Sequence, residues 1–462
     1  MLLVAGLDVG GSSVKAWVQQ VGGRLVASAT VPTVTHREGF RAELDPVTWE
    51  AAARKALAEA VDGVHGEWLG LTVSSLRQGF LLLGREGRPL GRGVLNSDRR
   101  GGPYAGVLEG RHDLTGHWPA PELTLPKLLA VQVEEPERWA QTRRVLFVHD
   151  WLVALLTGTQ VTEASYACAG AMADVARRTW AQDLLDSCGV GADLLAPVVE
   201  AGTVVGGLRA GWGLPVGLPV VTGCGDTQLA AMGAGGLTPG VVTVVAGSST
   251  PVIAATAAPV HDPLSRPWVS THARPDLWAI EGNAGYPGTF SGWWSGLAAG
   301  RPTDDPAGVV AVTAVELWSQ PTWEHKPPWS LLGVSPSTTS GQVQRALLEA
   351  HAFAVAGAVD DLARLLGPAR EVVVTGGAGQ DGALPALLAQ VLGRDLRWDR
   401  EPSAAAAGTA LVARALDAGD YVPGLPETVS PAGDPAALAD RRQTWTHATA
   451  ALRTAFDPRS TT

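Results

Sequence analysis

A chain of 462 residues is too long for one ordinary hydrophobic core, so its length predicts two domains, or three. Its composition, with 46% hydrophobic and 17% charged residues, is typical of a well-packed globular protein. The formal net charge of −10 argues against nonspecific binding to nucleic acid or to anionic membranes, although it leaves room for a local basic pocket that binds a nucleotide.

The predicted elements of the first half begin with three strands and then alternate between helix and strand. They are a β-meander over 1–30, a helix over 47–62, a strand over Leu69–Ser74, a hairpin over Gly79–Gly93, mostly helix over 104–190, a strand over Pro215–Gly223 and the start of a helix over 227–234.

The second half is predicted to open with another hairpin, and its later part is mostly helical. Its elements are a hairpin over 241–255, a Pro-rich surface loop over 320–340, a strand over Glu371–Thr375, and helices over Gln342–Leu366, Leu384–Leu392, Ala404–Leu416 and Pro435–Phe456. The breaker-rich segment Gly235–Gly240 is the best boundary between the halves, and it gives domains of residues 1–236 and 237–462.

The cysteines and the N-terminus bear on the compartment. Cys168, Cys188 and Cys224 form neither a zinc pattern nor a disulfide framework, and each is interpreted as a small buried residue in a reducing compartment. No secretory signal is recognisable, because Asp8 interrupts the first apolar run, and no stretch of about 18 apolar residues predicts a membrane span. These observations predict a cytoplasmic protein without a membrane or nucleic-acid partner.

Two segments share a pattern in which a tight turn of glycine and hydroxyl residues joins two apolar strands. The first turn is Asp8-Val9-Gly10-Gly11-Ser12-Ser13, and the second is Ala246-Gly247-Ser248-Ser249-Thr250. Such turns offer backbone N–H groups and hydroxyls to phosphate oxygens without a Cβ in the way. Neither is a Walker P-loop or a dinucleotide fingerprint, and either alone could be an ordinary hairpin. One turn in each half indicates that a polyphosphate is held from both sides of a cleft.

Two aspartates that follow predicted buried strands are candidates for chemistry. Asp226 lies in Gly223-Cys224-Gly225-Asp226-Thr227-Gln228, where the glycines permit a sharp turn and the close approach of a ligand. It is either a helix N-cap or a general base that accepts a proton from a substrate hydroxyl. Asp8 either satisfies turn N–H groups or, if it faces phosphates, holds Mg²⁺ or its water ligands.

Two further segments each have two interpretations. Gly376-Gly377-Ala378-Gly379 is either a compact strand-to-helix turn or a flat surface for the adenine or ribose of a nucleotide. Asn96-Ser97-Asp98-Arg99-Arg100 is either a solvated loop or a set of ligands for sugar hydroxyls, since a site built for hydroxyls rejects ligands that leave its polar groups unpaired.

The order of these motifs resembles that of the FGGY carbohydrate kinases over about residues 2–420. The resemblance implies an α/β fold of two actin-like, ribonuclease H-like ATPase domains with a central cleft. The motifs that carry it are Asp8–Lys15 for the first phosphate hairpin, Leu125–Leu129 for the Pro-Lys-Leu signature, Thr157–Ser165 for the middle motif, Gly225–Gly235 for the catalytic aspartate, Gly247–Ser249 for the second phosphate hairpin, Gly376–Ala378 for the adenosine motif and Ala407–Ala410 for the closing helix.

The resemblance also implies roles for individual residues. Asp226 is expected to be the catalytic base and Asp8 the Mg²⁺ ligand. The sugar is expected mainly on the first domain, and ATP and Mg²⁺ across the cleft with the adenine on the second domain. The residues expected to bind phosphate or nucleotide are Gly10, Gly11, Ser12, Ser13, Lys15, Gly247, Ser248, Ser249, Gly376, Gly377 and Ala378. Those expected to bind the sugar are Arg77, Gln78, Asp98 and Arg100.

The sugar-site motifs depart from those of xylulose kinases. Where xylulose kinases carry Gln-Met-His, this chain has Leu76-Arg77-Gln78, and together with Gly225–Leu229 this pattern looks closer to bacterial autoinducer kinases. Those enzymes phosphorylate a small open-chain dihydroxypentanedione. The adenosine motif is followed by an altered Gln380-Asp381-Gly382, which leaves the nucleotide preference open.

The sequence therefore predicts an enzyme that uses Mg²⁺ and transfers the γ-phosphate of ATP to a primary hydroxyl of a small ketose, polyol or open-chain sugar-like substrate. The alternatives are an autoinducer kinase, a noncatalytic sugar or nucleotide sensor on the same fold, and an actin-like polymerising ATPase. The oligomeric state stays open, with a homodimer as one option.

Overall fold

The computed structural model describes residues 1–264, 267–298, 301–303, 305–313, 329–400, 403–419, 426–433 and 436–456. The first part of the predicted Pro-rich loop, residues 320–328, lies outside these ranges, as does Pro435 at the predicted start of the last helix.

The first half forms a six-stranded sheet, a five-stranded sheet and the helices around them. Its strands are β1 (Leu2–Val9), β2 (Ser13–Gln20), β3 (Leu25–Pro32), β4 (His36–Glu38), β5 (Arg41–Leu44), β6 (Glu67–Ser75), β7 (Phe80–Leu83), β8 (Gly93–Val94), β9 (Arg144–Phe147), β10 (Thr162–Glu163), β11 (Ala173–Asp174), β12 (Thr179–Trp180), β13 (Val198–Val199), β14 (Val204–Gly207) and β15 (Pro219–Gly225). Its helices are α1 (Pro46–Val61), α2 (His112–Thr115), α3 (Thr124–Glu134), α4 (Pro136–Gln141), α5 (Val148–Thr157), α6 (Ala164–Ala169), α7 (Gln182–Ser187) and α8 (Asp226–Gly233).

The second half is built around a seven-stranded sheet. Its strands are β16 (Val241–Val245), β17 (Pro251–Thr256), β18 (Trp268–Thr271), β19 (Trp278–Asn283), β20 (Val310–Val312), β21 (Ser330–Leu332), β22 (Glu371–Thr375), β23 (Leu396–Trp398) and β24 (Glu427–Val429). Its helices are α9 (Pro287–Leu297), α10 (Ser340–Leu366), α11 (Ala383–Leu392), α12 (Ser403–Ala415) and α13 (Ala436–Ala455).

The two large sheets repeat one arrangement of strands. In the first, with the order β14-β15-β6-β1-β2-β3, the meander β1–β3 is antiparallel, and β6 and β15 run parallel to β1. In the second, with the order β18-β19-β17-β16-β22-β23-β24, the antiparallel meander is β16-β17-β19, and β22 and β23 run parallel to β16. This repetition confirms the predicted fold class of two actin-like, ribonuclease H-like α/β domains.

Some predicted boundaries were wrong. Strand β15 begins at Pro219 rather than Pro215, because the chain up to Leu218 forms a turn that precedes the strand. Short strands interrupt the region over 104–190 that the sequence predicts as mostly helix, and β21 lies within the described part of the predicted loop at 320–340.

Strand β1 is buried on both faces of the first sheet, which explains its uninterrupted apolar run. Leu3 and Leu7 belong to a cluster that includes Leu57 of α1, whereas Val4 packs with Val412 of α12. The first sheet is therefore covered on one face by a helix of its own half and on the other by a helix of the second half.

Helix α12 fits against the first sheet because Gly408 has no side chain. A Cβ at Gly408 would lie 2.6 Å from the Trp17 ring and 2.9 Å from the Thr72 methyl group. This close approach gives a physical reason for the predicted closing-helix motif. By sequence α12 falls in the 237–462 domain, yet it contributes one wall of the first domain.

Residues of the first half near β11 and β12 also contact the start of β19 in the second sheet. Arg178 Nη1 donates a hydrogen bond of 2.8 Å to the carbonyl of Leu277, and Trp278 Nε1 donates one of 2.8 Å to the carbonyl of Val175. The two halves therefore meet through specific contacts as well as through the chain at the predicted boundary.

Two predictions from composition can be compared with the structure. Cys168, Cys188 and Cys224 are free and buried, which confirms their interpretation as small buried residues, and burial raises the pKa of the Cys168 thiol to about 11. In the part of the chain that the structure describes, no helix has the length and apolar character needed to cross a bilayer.

Candidate active site

The candidate site lies where neighbouring parallel strands of the first sheet end. Asp8 stands one residue before the end of β1, and the paired residues Ser75 and Gly225 end β6 and β15. The chain beyond these two strands carries Arg77 and Asp226, so all three charged residues reach the same edge of the sheet. The carboxyl ends of parallel strands are where α/β proteins commonly bind ligands.

The carboxylate of Asp226 is half exposed, with 48% of its side-chain surface accessible. Its Oδ1 accepts a hydrogen bond of 2.8 Å from the amide of Thr227, and Arg77 Nε lies 3.6 Å from the same oxygen. Desolvation by the surrounding protein raises the pKa of Asp226 to about 6; the charge of Arg77 opposes this shift, while the charges of Asp8 and Glu281 reinforce it. Such a carboxylate is ionised at neutral pH but is a stronger base than an ordinary aspartate.

The alternative interpretation of Asp226 as a helix N-cap fits the geometry less well. Helix α8 begins at Asp226 itself, and the residue in the N-cap position is Gly225. An N-cap side chain accepts from the amide two or three residues ahead, whereas Asp226 accepts from the adjacent amide of Thr227. Helix α8 therefore does not depend on this carboxylate in the way that a capped helix depends on its N-cap.

Arg77 joins the two halves of the molecule. Its Nη1 and Nη2 donate hydrogen bonds of 2.6 and 2.8 Å to the two carboxylate oxygens of Glu281 on β19. The side chains are only 10% and 2% exposed. Burial alone would lower the pKa of Arg77, but Glu281 raises it above its ordinary value. Sugar binding by Arg77 stays a prediction, and in this structure Glu281 occupies both terminal nitrogens.

The backbone of Gln78 is held in the left-handed region, at a φ of 63°. Its carbonyl accepts hydrogen bonds from Lys127 Nζ at 2.9 Å and from Thr124 Oγ1 at 3.0 Å, and Lys127 also donates to the carbonyl of Leu95. Lys127 is buried, and desolvation lowers the pKa of its amine to about 7. The lysine of the Pro-Lys-Leu signature thus fixes the segment that carries Arg77. Sugar binding by the mostly buried Gln78 side chain remains a prediction.

Two side chains of α6 hold the backbone just before Asp226. Tyr166 Oη donates a hydrogen bond of 2.8 Å to the carbonyl of Cys224, and Ser165 Oγ accepts one of 2.9 Å from the amide of Gly225. These bonds fix the end of β15, and therefore the position from which the carboxylate of Asp226 projects.

Glu163 supports this arrangement from the protein interior. Its Oε2 accepts hydrogen bonds from the amide and the hydroxyl of Ser165, at 3.0 and 2.5 Å. The side chain is completely buried, and desolvation raises the pKa of Glu163 to about 8, so that the carboxyl group is protonated at neutral pH. Residues of the predicted middle motif thus hold the backbone of Gly225, next to Asp226, from the protein interior.

Asp98 and Arg100 form a buried ion pair. Arg100 Nε and Nη2 donate to the two oxygens of Asp98 at 2.9 and 2.8 Å, and the guanidinium also reaches Glu43 and Glu135. Burial would raise the pKa of Asp98, but Arg100 outweighs it and lowers that pKa. The interpretation of these two residues as a solvated loop was wrong. Sugar binding by them stays a prediction, and it would require this network to open.

The first glycine and hydroxyl turn is anchored through its carbonyl groups. The amide of Gly10 donates to the carbonyl of Ser13 at 2.9 Å, and Trp49 Nε1 donates to the carbonyl of Gly10 at 3.1 Å. The carbonyl of Gly11 accepts from two threonine hydroxyls, each at 3.0 Å, whereas the side chain of Ser12 is exposed. The turn is therefore rigid, with a hydroxyl open to solvent.

The surroundings of Asp8 suit a divalent cation. Its Oδ1 accepts a hydrogen bond of 3.0 Å from Ser74 Oγ, and Lys15 lies directly opposite on β2, on the same face of the sheet. The charge of Asp8 contributes to the raised pKa of Asp226, so two carboxylates share this edge. Mg²⁺ is commonly held by one or two carboxylates together with water and substrate phosphates, and these residues fit that requirement.

The second turn and the adenosine motif lie side by side. The amide of Gly247 donates to the carbonyl of Ser249, and the amide of Ala378 donates to the carbonyl of Ala246 at 2.9 Å. Gly376 has a φ of 97°, and a Cβ there would lie 2.5 Å from the carbonyl oxygen of Ala246, so only glycine permits this contact. Two predicted nucleotide motifs that are distant in sequence are thus neighbours at the ends of β16 and β22.

Sequence reasoning missed Glu281 and the supporting roles of Ser165, Tyr166 and Lys127. Glu281 had a usable signal, because it is the single charged residue of the mostly buried strand β19. A glutamate that faces the protein interior requires a partner, but the sequence alone could not identify that partner as Arg77.

The repeated sheets, together with the carboxylates of Asp8 and Asp226 at strand ends of the first sheet, define an enzyme of the actin-like ATPase fold. The model of the FGGY family of carbohydrate kinases, N-terminal domain, matches residues 3–233, and the model of the C-terminal domain of the same family matches residues 242–416. The chain belongs to the FGGY family of carbohydrate kinases, as its motifs indicated.

Individual relatives are similar over most of their length. The chain is 26% identical to the xylulose kinase of Escherichia coli over 436 residues, which cover 88% of this chain and 89% of that protein. It is 26% identical to the autoinducer-2 kinase of Photorhabdus laumondii over 380 residues, or 74% and 72% of the two chains. The crystal structure of xylulose kinase from Rhodospirillum rubrum superimposes with a TM-score of 0.82 at 25% identity, covering 98% and 99% of the two chains.

Proposed function

We propose that this kinase transfers the γ-phosphoryl group of ATP to a primary hydroxyl of a small ketose, polyol or open-chain sugar-like substrate. The position of Asp226 carries the proposal. Its half-exposed carboxylate lies at the end of a parallel strand beside Arg77, and its pKa is raised to about 6 by desolvation. A general base needs this combination of access, ionisation at neutral pH and increased basicity.

In the proposed reaction, Asp226 accepts the proton of the substrate hydroxyl as the hydroxyl oxygen attacks the γ-phosphorus. Catalysis of phosphoryl transfer consists mainly of positioning and electrostatic stabilisation. The supports from Tyr166 and Ser165 fix the backbone before Asp226, so the base is held in place before the substrate arrives.

The donor would be held by elements of both halves. Backbone amides of Gly10–Ser13 and Gly247–Ser249 would bind its phosphates, with Lys15 near the first turn, and the glycine surface of Gly376–Ala378 would face its adenosine. Asp8 would hold Mg²⁺ directly or through water. When bound, Mg²⁺ neutralises charge on the transferring phosphates. The use of ATP agrees with the predicted cytoplasmic location.

Within this function, a short open-chain acceptor is favoured over D-xylulose. Leu76, Arg77 and Gln78 stand where xylulose kinases carry Gln-Met-His. In addition, the amide of Gln228 is buried next to Arg77 and, among the residues that the structure describes, neither of its polar atoms has a hydrogen-bond partner. A polar group of the acceptor, such as a hydroxyl or a carbonyl, could supply that partner. The replaced residues at 76–78, together with Gly225–Leu229, favour an autoinducer kinase as the more specific function.

A noncatalytic sensor is the alternative from another class. A sensor needs neither a base nor a metal ligand, so the presence of both Asp226 and Asp8 argues against it. The same argument applies to an actin-like polymerising ATPase, because such a protein does not need a base directed at a substrate hydroxyl.

The decisive experiment is a coupled ADP-release screen over ketoses, polyols and linear dihydroxypentanedione. The expected result is ATP-dependent turnover with the highest kcat/KM for a short open-chain acceptor. A large preference for D-xylulose would contradict the acceptor class but not the kinase function. With the best acceptor, Asp226→Asn should lower kcat by about 10²–10⁴-fold. The control is Asp276→Asn, which removes a carboxylate from the surface. A folded Asp226→Asn protein with near wild-type turnover would exclude the assignment of the base.

A further inference from the structure

The guanidinium group of Arg77 lies between two carboxylates that come from different halves of the molecule. Its terminal nitrogens bind both oxygens of Glu281, and its Nε lies 3.6 Å from Oδ1 of Asp226. A bidentate pair fixes the plane of the guanidinium, because both hydrogen bonds must be satisfied together. Once the plane is fixed, the direction of Nε toward Asp226 is fixed as well.

Stability alone does not explain this ion pair. Glu281 lies beside the buried residues Ala279 and Ile280, with only 2% of its side chain exposed. Desolvating two charges is costly, and replacing a buried ion pair with apolar side chains is often neutral or stabilising. The position of the pair next to the proposed base therefore points to a role in function.

We propose that Glu281 is a positioning residue for Asp226, acting through Arg77. By binding both terminal nitrogens it directs Nε toward the Asp226 carboxylate, and it offsets the guanidinium charge at that site. The proposal rests on the proposed function in one respect, namely that Asp226 is the catalytic base. The ion pair and its electrostatic effect on Asp226 are testable without turnover.

The direction of the effect follows from the charges that act on Asp226. Arg77 lowers the pKa of Asp226, whereas Asp8 and Glu281 raise it. Removing Glu281 takes away a negative charge and leaves the charge of Arg77 uncompensated, so the pKa of Asp226 should fall. Removing Arg77 should have the opposite effect. Among the described residues, the titratable groups that face this site are Asp8, Arg77, Tyr166, Cys224 and Glu281, and His117 faces the guanidinium of Arg77.

The Arg77–Glu281 ion pair also makes the basicity of Asp226 depend on the position of the second half. Because Glu281 belongs to β19, the ion pair requires the relative position of the halves seen here. If the halves separated, an uncompensated guanidinium would remain beside Asp226, and the carboxylate would become a weaker base. Full basicity of Asp226 is therefore tied to the position of the half that carries the proposed nucleotide surfaces.

The test compares Glu281→Gln, Arg77→Met and the parent protein. The half-exposed Asp226 is labelled with a water-soluble carbodiimide and glycinamide, and its modification is measured by peptide mass spectrometry as a function of pH. The midpoint of this profile should move to lower pH in Glu281→Gln and to higher pH in Arg77→Met. The matched control is Glu200→Gln, which breaks another bidentate arginine pair, with Arg178, and should leave the midpoint unchanged.

The kinetic measurement uses the best acceptor from the ADP-release screen. In Glu281→Gln, kcat should fall by about 10–10²-fold, as expected for a displaced catalytic group, and the acidic limb of kcat/KM should shift to lower pH. Suppose that Glu281→Gln changed only the acceptor KM, while the midpoint of the labelling profile and the acidic limb of kcat/KM stayed at the pH values of the parent protein. Glu281 would then not position Asp226. If the labelling midpoints moved as expected but Asp226→Asn remained active, the base assignment would fail while the positioning effect stood.

The double variant Arg77→Met/Glu281→Met guards against failure of the single variants to fold. It removes both buried charges and should therefore fold. The lowering effect of Arg77 is larger than the raising effect of Glu281, so its labelling midpoint should lie above that of the parent protein. A midpoint equal to that of the parent protein in the double variant and in every single variant would overturn the proposal.

Discussion

The ammonium group of Lys127 donates a hydrogen bond of 2.9 Å to the backbone carbonyl of Gln78, which holds a left-handed residue directly after Arg77. The buried amine donates to two carbonyl groups, so it acts on the backbone of the segment that carries Arg77.

Replacing this amine should damage both stability and the acceptor site. Lys127→Met keeps most of the volume but leaves the carbonyls of Gln78 and Leu95 without their donor. The free energy of unfolding should fall by about 1–3 kcal/mol, the cost of leaving a buried hydrogen-bonding group without its partner. Urea denaturation measures this change, and the acceptor KM should rise. Lys55→Met on the exposed face of α1 is the control, and an equal effect of both variants would contradict the role of Lys127.

The buried carboxyl group of Glu163 predicts a pH dependence of stability. Its pKa is raised from an ordinary 4.5 to about 8 in the folded protein. A group whose folded pKa is raised contributes stability below its unfolded pKa and loses it as pH rises through the folded value. The contribution of Glu163 should therefore decrease between pH 4.5 and 8.

Glu163→Gln removes this titration while keeping a side chain that can hydrogen-bond to Ser165. Chemical denaturation at several pH values should show a smaller loss of stability for the variant than for the parent protein across that window. Identical slopes for the two proteins would show that the carboxyl group is ionised in the folded state.

Asp8→Asn should separate metal use from acceptor binding. The substitution keeps the size of the side chain and removes the charge that a hard cation needs. The Mg²⁺ concentration for half-maximal turnover should rise, while acceptor binding without nucleotide, measured by calorimetry, should stay close to that of the parent protein. Unchanged Mg²⁺ dependence would exclude Asp8 as the metal ligand.

Gly408→Ala tests the fit of α12 against the first sheet. The new Cβ would lie 2.6 Å from the Trp17 ring, so the free energy of unfolding should fall by about 1–3 kcal/mol, as for other overpacked cores. Gly292 of α9 has open space at its Cβ position, and Gly292→Ala should instead stabilise the protein by up to ~1 kcal/mol. Equal effects of the two alanines would contradict the close contact at Gly408.

The sequence was most informative where a motif is local. The hairpin around Gly10–Ser13 and the strand before Asp226 followed from apolar runs and glycines, and the structure keeps both. The sequence could not predict side-chain pairings across the sheet or between the halves, because these pairings join residues that are distant in sequence. Arg77 and Glu281 are separated by 204 positions, and nothing local to either residue indicates the other.

Asp98 and Arg100 show the limit of composition arguments. A run of polar residues after a strand usually indicates a solvated loop, but Glu43 and Glu135 come from elsewhere in the chain and enclose this ion pair. Only the tertiary structure shows that the polar groups of this segment are already satisfied.

The position of α12 has a consequence for the order of events during synthesis. The first sheet is complete when α8 leaves the ribosome, but the helix that covers its Trp17 face follows roughly 170 residues later, a delay of about 10–30 s at ~5–20 residues per second. During that interval the nascent first domain exposes an apolar surface. Chaperones that bind such surfaces, or a slower translation rate before α12, would therefore affect the yield of folded enzyme more strongly than its final stability suggests.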